Sequence, residues 1–410
     1  MSSFQPVWAG PARPTSPSRT TFRRLPVSLL FVFSFLTLLC ACALAKDKTA
    51  ATPPHNVIFF IGDGMGPEQV RAARLYNGGA LSFEDFPNRG CARTYSANNS
   101  VTDSAAAGTA LATGVKVNNG VVGMRIPGAR QDILNMVEWS KIWGKSTGIV
   151  TSSYMTDATP AAFGAHAADR SHYIDIARDF LQQSRPNVLL GGGGNFAEFV
   201  DPTLAGYAIV RDRTELKAFT PQTPDFFLSG EFGDAGDGVP YEYKGEKAYE
   251  KLPHLSEMTA KALDLLDDDP DGFFLMVEGA KVDKACHGNQ IERAVCEAVE
   301  LSKAVQVAKK WAAGRSDTLI VVTADHETGG LKIVKDNGAG QFPTVTWSTK
   351  GHTKTNVNVY AWGEGAEQIS KTINNIDFFG IVTGHSLPAG TVAPPAVNNI
   401  PDPRIGKAKK

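Results

Sequence analysis

Cysteine is scarce in this chain: five residues in 410, of which Cys40 and Cys42 fall in an apolar N-terminal stretch. The other three, Cys91, Cys286 and Cys296, are an odd number and imply no complete disulfide framework. Cys286 and Cys296 can pair only if the chain turns back between them. On one continuous helix they would stand roughly 15 Å apart. An excess of basic charge is also missing. Lys and Arg number 41 against 42 Asp and Glu, a net charge of −1, so nothing marks the chain for a nucleic-acid partner. No internal repeat is present, which excludes a solenoid or propeller array. A run of four glycines, Gly191-Gly192-Gly193-Gly194, lacks the Lys-Ser/Thr ending of a P-loop and reads as a tight turn near a sheet rim.

What is there begins with a leader pattern. Arg13, Arg19, Arg23 and Arg24 are the only charges before an apolar run from about Leu25 to Ala45, which closes on Ala43-Leu44-Ala45. A basic segment, an apolar segment and an A-x-A ending read as a secretory signal peptide over 1–45. A retained membrane anchor, or a lipid attached within Leu39-Cys40-Ala41-Cys42, is the alternative. The protein is therefore expected to be periplasmic or secreted, with no membrane association unless this segment is kept or lipidated. Loss of 1–45 removes four arginines and no acid, for a net charge of −5. Residues 46–55 read as a linker and 56–385 as the main domain. The Pro-rich stretch 386–410 reads as a tail without a core to fold around.

From Asn56 onward, apolar runs of strand length alternate with segments of helical period. Strands are expected over 56–61, 146–151, 186–190, 272–278, 317–323 and 356–361. Helices are expected over 67–77, 104–112, 131–142, 171–184, 254–267, 289–312 and 364–374. Residues 229–247, rich in Gly, Asp and Glu, read as a surface excursion. Continuous runs such as Phe273-Phe274-Leu275-Met276-Val277 suit strands covered on both faces. The fold class is α/β: a three-layer α/β/α sandwich with a mostly parallel central sheet.

In such sheets ligands bind outside the carboxyl ends of the strands. Gly62-Asp63-Gly64-Met65-Gly66 follows the first strand, and Asp157-Ala158-Thr159-Pro160 follows the second. Glu278, then Asp283 and His287, follow the fourth, and Asp325-His326-Glu327 the fifth. Four strand ends thus send carboxylates towards one rim. Two carboxylates 4 Å apart repel by roughly 4 kcal/mol at an effective dielectric near 20, so a cluster calls for cations. The histidines point to zinc. Asp283 and His287, at i and i+4, share one face of a helical turn. Taken singly, each piece also has an ordinary reading, as a surface pair, a capped turn or a solvated loop histidine (His352). Ser104 opens a small-residue helix, where free N–H groups favour an anion. Alone it reads as an N-cap serine. No histidine base lies near it in the sequence, so activation would come from a metal. His55, His166, His172, His254 and His385 read as structural or solvated.

Together these segments resemble the alkaline phosphatase family, from about Asn56 to Ala366. The matching pieces are Ile61-Gly62-Asp63-Gly64-Met65-Gly66, Thr102-Asp103-Ser104-Ala105-Ala106, Asp157-Ala158-Thr159-Pro160, Val277-Glu278-Gly279-Ala280 through Asp283 and His287, Thr323-Ala324-Asp325-His326, and Gly351-His352-Thr353. The resemblance implies a phosphate monoester hydrolase with two zinc ions, one magnesium and a phosphoserine intermediate on Ser104. It implies one zinc on Asp283, His287 and His352, and a second on Asp63, Asp325 and His326 with Ser104. It implies magnesium on Asp63, Thr159 and Glu278. Arg170 would clamp phosphate, oriented by Asp103, and the Asp157–Lys284 pair would reach phosphate through water. With three divalent ions the site is positive enough to suit a monoester dianion rather than a singly charged diester or sulfate. Small-molecule phosphate monoesters are the implied partners. A homodimer is possible, but the short stretch between His326 and His352 leaves little room for a capping insertion. The alternatives are a phosphodiesterase or phosphomutase of the same superfamily, or a non-catalytic metal- or phosphate-binding protein. A sulfatase is excluded because alanines, not Pro-x-Arg, follow Ser104.

Overall fold

The computed structural model describes residues 53–384, apart from 195, 197–199, 234–237, 243–248, 250 and 370. The leader and tail readings lie outside these residues. Eight strands come first: β1 (Asn56–Gly62), β2 (Asn88–Arg93), β3 (Ser146–Tyr154), β4 (Val188–Gly192), β5 (Ala208–Val210), β6 (Leu228–Phe232), β7 (Phe273–Gly279) and β8 (Thr318–Thr323). Four short strands, β9 (Glu327–Thr328), β10 (Leu331–Lys335), β11 (Thr344–Trp347) and β12 (His352–Thr353), precede β13 (Val357–Gly363) and β14 (Lys371–Asn374). Ten of them form one sheet in the order β14-β2-β13-β8-β1-β7-β3-β4-β6-β5. Only β13 runs against its neighbours. The remaining four form two ribbons, β10–β11 and β12–β9.

The helices are α1 (Pro67–Asn77), α2 (Ser104–Thr113), α3 (Met136–Ile142), α4 (Ala158–Gly164), α5 (Tyr173–Gln182), α6 (Arg213–Ala218), α7 (Leu255–Leu266), α8 (Lys281–His287), α9 (Ile291–Trp311) and α10 (Asp377–Thr383). Helices α1, α7 and α9 pack as one group, and α2, α3, α4 and α10 as another. Both groups also pack onto β7, which gives the expected sandwich. The central strands β1, β7 and β8 are buried along their whole length. Their apolar runs form the core because side chains of both faces are covered.

Four of the expected segments differ from the structure. The helix expected over 364–374 is a short 3-10 turn, Ala366–Gln368, followed by β14. The helix expected over 131–142 starts only at Met136, where Asn135 accepts from Glu138 N in a capping box. The excursion read over 229–247 begins inside β6, a fully buried strand despite its polar Leu-Ser-Gly-Glu-Phe sequence. Of the glycine run, Gly191 and Gly192 belong to β4. Cys286 in α8 and Cys296 in α9 stand on separate helices, and both are free thiols.

The sheet order explains where the chemistry falls. β8, β1, β7 and β3 are adjacent and parallel. Ile61 pairs with both Thr323 and Glu278, and Glu278 pairs in turn with Thr151. The carboxyl ends of β8, β1 and β7 stop within one residue of one another and β3 runs three residues past Thr151, so the segments after them meet at one rim.

Candidate active site and metal centres

Ser104 owes its position to α2. The Ala-rich sequence favours helix, and all ten residues are buried. The helix can lie close to α4 because its side chains are small: a Cβ on Gly108 would stand 3.0 Å from the Ala162 Cβ. Asp103, not Ser104, is the N-cap, and its carboxylate accepts from Ala106 N at 3.0 Å. Capping by Asp103 leaves the Ser104 hydroxyl free for another task.

That hydroxyl lies 3.2 Å from His326 Nε2. The same nitrogen is 3.2 Å from Asp325 Oδ2 and 3.5 Å from Asp63 Oδ1. Asp63 Oδ1 and Asp325 Oδ2 are buried oxygens with no hydrogen-bond partner. Such oxygens are costly unless a cation meets them. The ligand atoms of Asp63, Asp325 and His326 all lie within 4.8 Å of one another. The glycines of 62–66 permit this approach. Gly64 has φ +69, and a Cβ there would meet the Asp283 Cα at 2.8 Å. Its N–H donates to Asp325 Oδ1 at 3.1 Å.

A second group of ligand atoms within 4.8 Å joins Asp283, His287 and His352. Asp283 and His287 share one face of α8, with 3.2 Å between Oδ2 and Nε2. His352 arrives from the β12–β9 ribbon, where it pairs with Thr328. Both rings bond backbone carbonyls through Nδ1: His287 with Lys350 O, His352 with Thr102 O at 2.8 Å. Their Nε2 atoms face each other at 3.2 Å. An Nδ1 held on a carbonyl leaves Nε2 as the lone-pair nitrogen, the arrangement of metal-binding histidines.

Glu278 ends β7 beside these groups, buried and accepting from the Thr151 hydroxyl. Thr159 Oγ1 is a third buried atom without a hydrogen-bond partner. Arg170 spans two carboxylates, with Nη2 3.0 Å from Asp157 Oδ1 and Nη1 3.4 Å from Asp103 Oδ2. Lys284 Nζ stands 3.2 Å from Asp157 Oδ2 and donates to Ser153 Oγ at 2.6 Å. Asp103 through Arg170 and Asp157 to Lys284 is thus one alternating chain of charge. Of the site residues expected from sequence, all but Thr159 are brought together in these groups.

The electrostatics divide the site. Burial pushes the Asp63 carboxyl well above its ordinary range, and Asp325, Asp283 and Glu278 add to the rise. Burial, then Asp157, raises Glu278 to about 8. Burial, then Asp283, raises Asp325 to about 6. Asp157 differs: burial opposes its charge, but Lys284 and Arg170 outweigh it and bring the group to about 2. Burial, with His352 next, drives His326 well below its usual value. Crowded carboxylates beside a neutral imidazole form a site that divalent cations would satisfy.

Several contributors had no signal in the sequence. Thr328, Thr151 and Ser153 bond site carboxylates or Lys284 from elements distant in the chain. His254, read as structural or solvated, meets Glu242 through Nδ1 at 2.8 Å, away from this site. His166 is buried against Glu138 and Asp179, as a structural histidine would be.

The family model for alkaline phosphatase matches residues 54–342. The chain belongs to the alkaline phosphatase family. Its enzymes hydrolyse phosphate monoesters. Alkaline phosphatase 4 of Bacillus subtilis is 37% identical over 72% of this chain and 65% of its own length. Alkaline phosphatase H of Pseudomonas aeruginosa is 32% identical, covering 82% of this chain and 85% of that protein. Among solved structures, a variant of the alkaline phosphatase from the Antarctic bacterium TAB5, with Mg bound in its M3 site, superposes with a TM-score of 0.71. It is 29% identical and covers 82% of this chain and 99% of that one. Divalent-metal binding comes with membership of the alkaline phosphatase family, and the two carboxylate–histidine groups at this rim are candidate ligands here; Glu242, His254 and Glu300 form a third group of equally close ligand atoms. None of the described helices is long and apolar enough to cross a membrane.

Proposed function

We propose that this alkaline phosphatase acts through a phosphoserine formed on Ser104. Asp283, His287 and His352 would hold one zinc. Asp63, Asp325 and His326, with Ser104, would hold the second, and Asp63, Thr159 and Glu278 a magnesium. The observation that carries the reading is the pair of orphaned oxygens, Asp63 Oδ1 and Asp325 Oδ2, facing His326 Nε2 and the Ser104 hydroxyl. The similarity to a TAB5 variant with Mg in a site called M3 supports magnesium as the third ion. When bound, the cations would lower the pKa of the serine hydroxyl and of water, and stabilise the departing oxygen.

The chain's own residues do the rest. Ser104 sits at the first turn of α2, where free N–H groups favour an alkoxide and an approaching phosphate. Arg170 offers a planar fork to two phosphate oxygens. Asp103 and Asp157 hold that fork from both ends. Lys284, paired with Asp157, reaches phosphate through water. These contacts address phosphate and not the alcohol, which supports broad use of small-molecule monoesters. The leader pattern supports a periplasmic or secreted protein, and a homodimer remains compatible with the fold.

A second reading follows from the 3.2 Å between Ser104 Oγ and His326 Nε2: His326 as a general base in place of a metal. Burial makes that imidazole a weak base, which favours the metal reading. One assay separates the two. Aryl-phosphate turnover should vanish with chelator and return with zinc, and Ser104→Ala should lower it by roughly 10⁴ or more. Turnover that survives chelation sinks the metal reading. Full activity in Ser104→Ala removes the serine from its role.

A further inference from the structure

Thr328 bridges the two candidate zinc groups, and nothing in the sequence motif assigns it a role. Its hydroxyl donates to Asp283 Oδ1 and lies 3.3 Å from His326 Nδ1. Asp283 belongs to one ligand group and His326 to the other. A hydroxyl carries a single proton. If that proton goes to Asp283, the oxygen can only accept from His326. His326 is then protonated at Nδ1, and its Nε2 lone pair faces Ser104, Asp63 and Asp325.

The residue is well placed to hold both partners. It is fully buried. Its N–H donates to Gly64 O at 3.2 Å, and its carbonyl accepts from Gln69 Nε2 at 2.7 Å. Glu327, next to it, is buried and accepts from Gln69 Nε2 at 2.8 Å and from the Thr353 hydroxyl. Thr328 pairs across the ribbon with His352, a third ligand candidate. Backbone and neighbours therefore leave the hydroxyl little freedom to turn away.

We propose that Thr328 is a positioning residue whose one hydroxyl proton sets the His326 tautomer and the Asp283 orientation, so that each zinc group is shaped by the other. The inference rests on the metal reading above. Partners that orient ligands from behind contribute on the order of 10–100-fold in metal affinity. Thr328→Val keeps the shape and removes the hydroxyl. Thr328→Ser keeps the hydroxyl and removes the methyl.

The test is an equilibrium zinc competition. Zinc-loaded wild type, Thr328→Val and Thr328→Ser are each titrated with a chromogenic chelator, with no reference to turnover. Thr328→Val should lose zinc at roughly 10–100-fold weaker competition than wild type, and Thr328→Ser should stay near wild type. Wild-type zinc affinity in Thr328→Val overturns the proposal. So does an equal loss in both variants, because the hydroxyl would then not be the determinant. If wild type itself retains no zinc, the metal reading fails together with this one. A wild type that binds zinc beside an unaffected valine variant fails Thr328 alone.

Discussion

Glu297 makes the protein's stability depend on pH in a direction that a single substitution should cancel. The residue lies on α9 and is 3% exposed. Its carboxylate accepts from Glu242 N at 2.6 Å, while the carboxylates of Glu242 and Glu300 also act on it. Burial is the largest influence and raises the group from 4.5 to about 8; the Glu242 N–H and Lys281 offset only part of it. The native state then holds a proton that the unfolded chain has released. Stability from this group is complete below pH 4.5 and falls as pH rises, until the cost is fully present above pH 8. A rise from 4.5 to about 8 sets a ceiling of roughly 5 kcal/mol, and the span from pH 6.5 to 8 alone accounts for about 2 kcal/mol. Glu297→Gln keeps an oxygen to accept from Glu242 N and cannot ionise. The assay is urea unfolding of metal-loaded wild type and variant at several pH values from 5 to 8.5. The variant should gain on wild type as pH rises, by about 2 kcal/mol between pH 6.5 and 8. Parallel stability curves across that range would refute the argument from burial.

Two further substitutions probe the site. Arg170→Lys should raise the KM for aryl phosphate and the inhibition constant of inorganic phosphate about 10–100-fold, because a point charge replaces a fork that makes two charge-assisted bonds; unchanged values would remove Arg170 from the phosphate clamp. Gly64→Ala should cost about 1–2 kcal/mol in folding stability for its left-handed backbone. It should also weaken zinc retention, since the new methyl would stand 2.9 Å from Thr328 Oγ1 and 2.8 Å from the Asp283 Cα; wild-type zinc content and melting temperature would show that the close approach is not required.

What the sequence made legible follows from how each feature is encoded. β1, β7 and β8 are buried on both faces and appear as unbroken apolar runs. β2 reads Asn-Arg-Gly-Cys-Ala-Arg and β6 reads Leu-Ser-Gly-Glu-Phe; both are strands because neighbours hydrogen-bond to them, and composition carries no trace of that. The same holds for β14, parallel to β2 at the sheet edge and mistaken for helix. The site was legible to the extent that it is built from segments that follow strands directly. Asp63, Glu278, Asp325 and His326 each stand within three residues of a strand end, so strand order alone brings them together. Arg170 was placed only by family resemblance, since it reaches the rim through ion pairs with Asp103 and Asp157 and not through a strand.

The division between what was legible and what was not is also a division of labour in the site. Most of the residues that would touch a cation, Asp63, Glu278, Asp325 and His326, sit in compact motifs, because a parallel sheet can aim them from its strand ends. Residues that aim those ligands are scattered: Thr151 behind Glu278, Ser153 behind Lys284 and Asp157, Thr328 behind Asp283 and His326. Each is a small hydroxyl in a buried place, and its identity as Ser or Thr says nothing until the fold supplies the partner. Ser104 shows the same effect in reverse. Its sequence position suggested a helix cap, and only the observation that Asp103 takes the capping bond frees the serine hydroxyl to face His326. A helix end thus separates two tasks between adjacent residues: Asp103 satisfies the backbone and pairs with Arg170, and Ser104 is left without a structural duty.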